Sequence, residues 1–208
     1  FAANVGVQSS WAIYNEKVLG KPLDVIPDLS EQVLVDCDEN SAGCMGGFMN
    51  TAYFFYTSQC PIHEDDYKYK AKDMDCKLKQ KKYECATDKL LGWYDIAQFD
   101  DEALRHALNM GVVPVAIQAE NPAFYNYKGG LIEGRECGFQ LDHGVGLVAE
   151  HFQTDHNGDT IKAWHIKNSW GSDWGEDGYV RIRREEILVP DQTGKKFNVG
   201  VCGINMQD

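Results

Sequence analysis

An α+β fold of two lobes is predicted for this chain, and three observations predict it. The apolar content, 43% of 208 residues, is enough to bury one large core or two packed half-cores. Helical periodicity is concentrated in the first half, and runs rich in Val, Ile and aromatic residues dominate the second. The expected layout is a single domain over 1–208, mainly helical over 1–100 and mainly β over 101–208. A cleft between the lobes is then the natural ligand site.

The elements follow in chain order. Trp11 to Leu19 contains few breakers before Gly20, which predicts a first helix with Ser10 at its head. Ser30 is placed to cap a second helix over Glu31 to Cys37, where Val33, Leu34 and Cys37 share a face. Gly46-Gly47 opens an aromatic-rich segment reaching Tyr56. The polar run from His63 to Lys82, dense in Lys and Asp, has no clear period and reads as surface loop. A further helix over Asp101 to Met110 carries Ala103, Leu104, Ala107 and Leu108 and stops at Gly111. Strands are expected at Val112 to Ala119, Gly144 to Glu150, Ile161 to Lys167 and Tyr179 to Ile182, with Asn157-Gly158 forming a type I′ hairpin turn.

Charge and cysteines narrow the function. The formal net charge is −12, which disfavours nucleic acid and anionic membrane surfaces as partners of the chain as a whole. No apolar stretch approaches the length of a membrane span, and Phe1 does not open a basic signal-peptide region, so the chain reads as a processed or truncated product. Seven cysteines lack the paired spacing of a zinc site, and no metal or cofactor is expected. A disulfide framework with at least one odd thiol fits them better, which favours a secreted, vacuolar or lysosomal-type compartment.

Four separated segments carry the chemistry. They are Ser9-Ser10-Trp11-Ala12, Gly43-Cys44-Met45-Gly46-Gly47, Leu141-Asp142-His143-Gly144, and Lys167-Asn168-Ser169-Trp170-Gly171 followed by Trp174-Gly175. In order and spacing the set resembles the papain-like cysteine peptidases, in particular the cathepsin L-like branch. The resemblance extends to Asp36-Cys37, Gly129-Gly130 and Val201-Cys202-Gly203, and so covers nearly the whole chain; the family's extreme N-terminal strand has no counterpart. It implies that His143 is the catalytic imidazole, that Asn168 orients it and that Trp170 shields their hydrogen bond. Ser10 falls where the family keeps its nucleophilic cysteine.

That family stores a thiolate at a helix N-terminus beside an imidazolium. A serine hydroxyl titrates too high to form such a pair, so His143 would have to remove its proton during attack. Three neighbouring departures accompany Ser10. The resemblance aligns Asn4 with the oxyanion-hole glutamine, one methylene longer, and losing such a donor costs about 10²–10³ in rate. Gln8 stands in place of a glycine and is expected to narrow the adjoining subsite. Val7 replaces the half-cystine that would hold Cys44, removing a bridge worth about 2–4 kcal/mol.

The rest of the substrate path is closer to the family. The resemblance implies main-chain pairing to a peptide at Gly46 and Gly47, and an apolar pocket lined by Phe48, Met49, Ala116, Leu141 and Gly144 with Gln207 at its floor. It also implies the bridges Cys37–Cys76 and Cys137–Cys202. Cys44 is left free or pairs with Cys60 or Cys85, and the last two are candidates for an extra bridge. The leading functional expectation is a catalytically silent homologue that binds a peptide or protein in its cleft. The alternatives are a hydrolase using Ser10, His143 and Asn168, and a structural subunit of a larger protein assembly.

Overall fold

In a computed structural model, residues 1–206 are described, and the chain divides into two compact units, Phe1–Tyr94 and Asp95–Asp208. Gln207, expected in the pocket floor, lies outside the described residues.

The first unit is built on three helices: α1 (Ala2–Lys17), α2 (Glu31–Cys37) and α3 (Met49–Ser58). Helix α2 starts as its sequence dictates, with the Ser30 hydroxyl accepting the Val33 N–H at 3.2 Å. Helix α1 begins nine residues earlier than the expected start at Trp11. Ala2, Ala3, Val5 and Val7 are buried, and Val7 packs with Leu29 and Tyr56. Apolar burial of this turn-and-a-half outweighs the cost of Gly6 and two β-branched residues, roughly 1 kcal/mol for the glycine. Two disulfides, Cys37–Cys76 and Cys60–Cys85, fasten the long loop after α3 to the helical core. Cys44 is a free, exposed thiol.

The second unit is built on an antiparallel sheet in the order β1-β2-β3-β4: β1 (Val113–Ile117), β2 (His143–Thr154), β3 (Thr160–Lys167) and β4 (Tyr179–Arg183). Its buried face carries Val113, Val115, Ile117, Val145, Leu147, Trp164, Ile166, Val180 and Ile182. The hairpin at Asn157-Gly158 forms, but not as a type I′ turn. Five residues separate Thr154 from its partner Thr160, the Gly158 N–H reaches the Asp155 carbonyl at 3.1 Å, and positive φ occurs at Gly158 and not at Asn157. This is a longer loop built on an ordinary turn and closed by a left-handed glycine. A second hairpin, β5 (Leu188–Pro190) with β6 (Lys196–Asn198), was not expected; its strands of three residues are too short to show a period. Cys137–Cys202 closes the unit.

Helix α4 (Asp101–Ala107) is capped by Asp100, whose carboxylate accepts the Ala103 N–H at 2.9 Å, and continues as a tighter turn to Met110. Arg184 joins it to the sheet. Its side chain, 5% exposed, pairs with Asp101 at 2.7 Å, with Glu150 at 2.5 Å and with Glu102, and lies 5.0 Å over the Trp164 ring. Removing one partner of a buried ion cluster is costly because the others stay desolvated. Arg184→Met is therefore expected to lower stability by about 3 kcal/mol, read from the urea midpoint.

Beside β4, His165 lies within 6.4 Å of the His151 ring and 5.0 Å of the Tyr179 ring, with the Arg181–Glu176 pair alongside. Burial, helped by the charge of His151, holds His165 below the ordinary imidazole value. A depressed imidazole favours the fold while it is neutral. That contribution is complete above about pH 6.5 and is lost as pH falls toward the folded value. In thermal melts taken from about pH 7 to 5, His165→Phe should flatten the decline.

Candidate functional site

The second unit brings together the imidazole and the amide that the resemblance implies. His143 is the first residue of β2, paired with Ile117 of β1, and Asn168 follows the last residue of β3. Because β2 and β3 are neighbours, the two side chains meet: His143 Nε2 lies 2.8 Å from Asn168 Oδ1. The Ser169 N–H donates to the same oxygen at 2.8 Å, which fixes it as the acceptor. Nε2 therefore carries the proton, and neutral His143 presents Nδ1 as its basic nitrogen. Asn168 is buried, and its backbone N–H is held by the Gly178 carbonyl at 3.0 Å.

An aromatic box encloses this pair. The Trp170 ring lies 5.1 Å from His143 and stacks on Tyr125 at 5.2 Å, while Phe124 meets Trp170 edge-on at 5.3 Å and His143 at 6.2 Å. Trp174 closes the far side against Phe124 and Trp170, its indole N–H donating to the Tyr125 carbonyl at 3.3 Å. Phe124 and Tyr125 sit on a short helix, α5 (Pro122–Tyr125), that sequence reasoning missed. The signal was present: Asn121 caps the Phe124 N–H, and proline occupies the first turn. Asp142 steadies the start of β2, its carboxylate accepting the Ala119 and Glu120 N–H groups at 2.7 and 3.1 Å. Ala116 and Gly144 are direct cross-strand partners. Leu141 lies against Gly203.

The first unit holds the remaining predicted residues. Gly46 has both backbone groups committed within its own turn, to Gly43 and Ala42. Gly47 is exposed, with no backbone hydrogen bond among the described residues, and a side chain there would strike Ser41 Oγ at 2.4 Å. Of the two glycines, Gly47 is the one with main-chain groups to offer. Phe48, 70% exposed, and Met49 follow at the start of α3.

The segment around Ser10 differs from expectation. Ser10 is exposed, but it is the ninth residue of the sixteen in α1, not the head of the helix. It lies about 12 Å along the axis from the helix start, and its N–H belongs to the helical ladder. Asn4 is wholly buried: its Nδ2 donates to the Leu29 carbonyl at 3.1 Å and its Oδ1 accepts from Tyr56 Oη at 2.7 Å. An amide used in this way and wholly buried is core structure, and its N–H groups do not reach a substrate at the surface. Gln8 donates to the Pro27 carbonyl at 2.8 Å, and two positions apart on a helix it does not share a face with Ser10. The expected narrowing beside Ser10 is thus not produced by Gln8.

The chain belongs to the family described as papain family cysteine protease, whose pattern matches residues 5–207. Among curated proteins it is 40% identical over 181 residues to the Oryzain beta chain of Oryza sativa subsp. japonica, covering 86% of this chain and 35% of that protein. It is 38% identical over 182 residues to Cysteine endopeptidase RepA of the same organism, covering 86% and 44% respectively. The chain thus spans only about a third to a half of such relatives. Among solved structures, the proform of the Amb a 11 cysteine protease, a ragweed pollen allergen, matches with TM-score 0.78 and 33% identity over 100% of this chain and 50% of that one. The bromelain protease of Ananas comosus matches with TM-score 0.78 and 29% identity over 99% and 85%. The papain-like α+β fold predicted from the motifs is the observed one.

Asn4→Ala would strip partners from the Tyr56 hydroxyl and the Leu29 carbonyl in a dry site. The expected loss is about 3 kcal/mol in urea unfolding. An oxyanion role would instead leave stability near that of the parent.

Proposed function

We propose that this chain is a catalytically silent papain-family homologue that binds a peptide or protein segment. The observation that carries the reading is the place of Ser10 in the interior of α1. In this family's chemistry the helix start supplies positive potential to the nucleophile and an unpaired N–H to the oxyanion. The macrodipole's effect is confined to the first turn, and the free N–H groups are the first four. Ser10 is beyond both, and its hydroxyl is intrinsically the weaker nucleophile. Asn4, the aligned oxyanion donor, is spent in the core. Two standard contributions to the rate are therefore missing from one helix.

Binding needs less. Gly47 has free main-chain groups beside the exposed Phe48, which suits an extended peptide that pairs through its backbone and offers a bulky apolar side chain. Three disulfides support a secreted, vacuolar or lysosomal-type location.

The test uses peptide amide and ester substrates, a fluorophosphonate probe and the variant Ser10→Cys. The parent is expected neither to turn over nor to label. Ser10→Cys should also stay inactive, since a thiol at the ninth helical position gains no thiolate stabilisation. Hydrolysis by the parent that disappears in Ser10→Ala would overturn the reading.

A further inference from the structure

We infer that the lysine-rich strap over residues 68–82 is a binding surface for a linear anionic polysaccharide. Charge alone singles it out. Seven of the chain's twenty basic residues fall in these fifteen positions against two acidic ones, in a protein whose net charge is −12. Evenly mixed charge would not give such a run.

The strap is held in shape and its charge is left available. Cys76 is bridged to Cys37 of α2. The Lys70 N–H donates to Gln32 Oε1 at 2.7 Å, Gln32 Nε2 donates to the Lys72 carbonyl at 2.8 Å, and the Met74 N–H donates to Asp36 Oδ1 at 3.0 Å. All seven lysines are exposed. Lys68, paired with Asp65 at 3.5 Å, is the single one in an ion pair among the described residues. Asp73, one of the strap's two acids, is occupied by the Cys44 N–H at 2.8 Å. Lys77 Nζ lies 5.4 Å from the Tyr67 ring and Lys81 Nζ 4.8 Å from the Tyr83 ring, with the two rings 5.4 Å apart. The two ammonium groups thus belong to one patch, already partly ordered before any ligand arrives.

The chemistry selects the ligand class. The strap contains no arginine, the side chain that reads one carboxylate or phosphate in a fixed fork. Lysines are point charges on long stems, suited to a repeating anion in which register is unimportant. Tyr69, 52% exposed between Lys68 and Lys70, offers a ring face to a sugar. Stacked nucleobases fit less well, since Tyr67 is buried and the acidic remainder of the chain repels a long nucleic acid.

Binding of the whole chain to heparin, a sulfated polysaccharide, and to polygalacturonate, a carboxylated one, would be measured by titration calorimetry at low salt and again as salt is raised. Lys77, Lys79, Lys81 and Lys82 would be changed together to Gln, with Lys17, Lys21, Lys195 and Lys196 changed to Gln as a control of equal charge. The strap variant is expected to bind about tenfold or more weakly with its melting point retained, and the control to bind like the parent. A response to heparin alone assigns sulfate chemistry, and one to polygalacturonate alone assigns carboxylate chemistry; either supports the surface. No binding of the parent to either polymer would overturn it. So would equal losses in the two variants, or tighter binding of a single-stranded DNA or a polyglutamate peptide than of either polysaccharide.

Discussion

The course of the first helix depends on the buried amide of Asn4. With Nδ2 on the Leu29 carbonyl and Oδ1 on the Tyr56 hydroxyl, it ties α1 to the loop before α2 and to α3 in one dry site. Satisfying both partners requires the chain at residue 4 to be inside the unit, and the flanking Ala2, Ala3, Val5 and Val7 supply the apolar surface that keeps it there. Backbone groups buried with them need partners, and the helical ladder provides them. The helix therefore extends through this segment, and every later residue on it, Ser10 included, inherits a position set by packing.

This explains where the sequence was and was not legible. Elements with local punctuation were read to within a residue or two: α2 after Ser30, the helix from Asp101 with its halt at Gly111, and β1, β3 and β4 from their Val and Ile runs, whereas β2 continues four residues past Glu150 to Thr154. The start of α1 has no capping side chain, so its only cause is tertiary burial, which no local pattern displays. The His143–Asn168 pair was legible because each stands in a dense motif. The box around it was half legible, because Phe124 and Tyr125 come from a four-residue helix whose Asn-Pro start was the only sign. Gln8 illustrates the opposite error. Its neighbourhood in sequence to Ser10 suggested a shared surface, whereas helical rotation separates them.

The cysteines tell a consistent story about how this segment is held. Val7, at the position the resemblance gives to a half-cystine, is 3% exposed and packs on Leu29 and Tyr56, while Cys44 is exposed and unbridged. Burial of a valine side chain contributes roughly 1.5–3 kcal/mol, comparable with the 2–4 kcal/mol of a disulfide. The loop that a covalent tie would hold is here a helix that packing holds. Cys60–Cys85 adds its own constraint further along the same unit.

The two parts of the predicted site are held by different kinds of structure. His143 is hydrogen-bonded to Asn168, whose oxygen is held by the Ser169 N–H, and aromatic rings flank the pair; all of this arises from sheet register and α5, which the second unit needs for its core. Phe124, Trp174 and Ile117 are core residues as well as neighbours of the imidazole or its strand, so selection for stability alone preserves them. The nucleophile's half rests on a helix start, a feature that any shift in packing can move. An intact His–Asn pair is therefore a weaker sign of turnover than the position of one helical terminus.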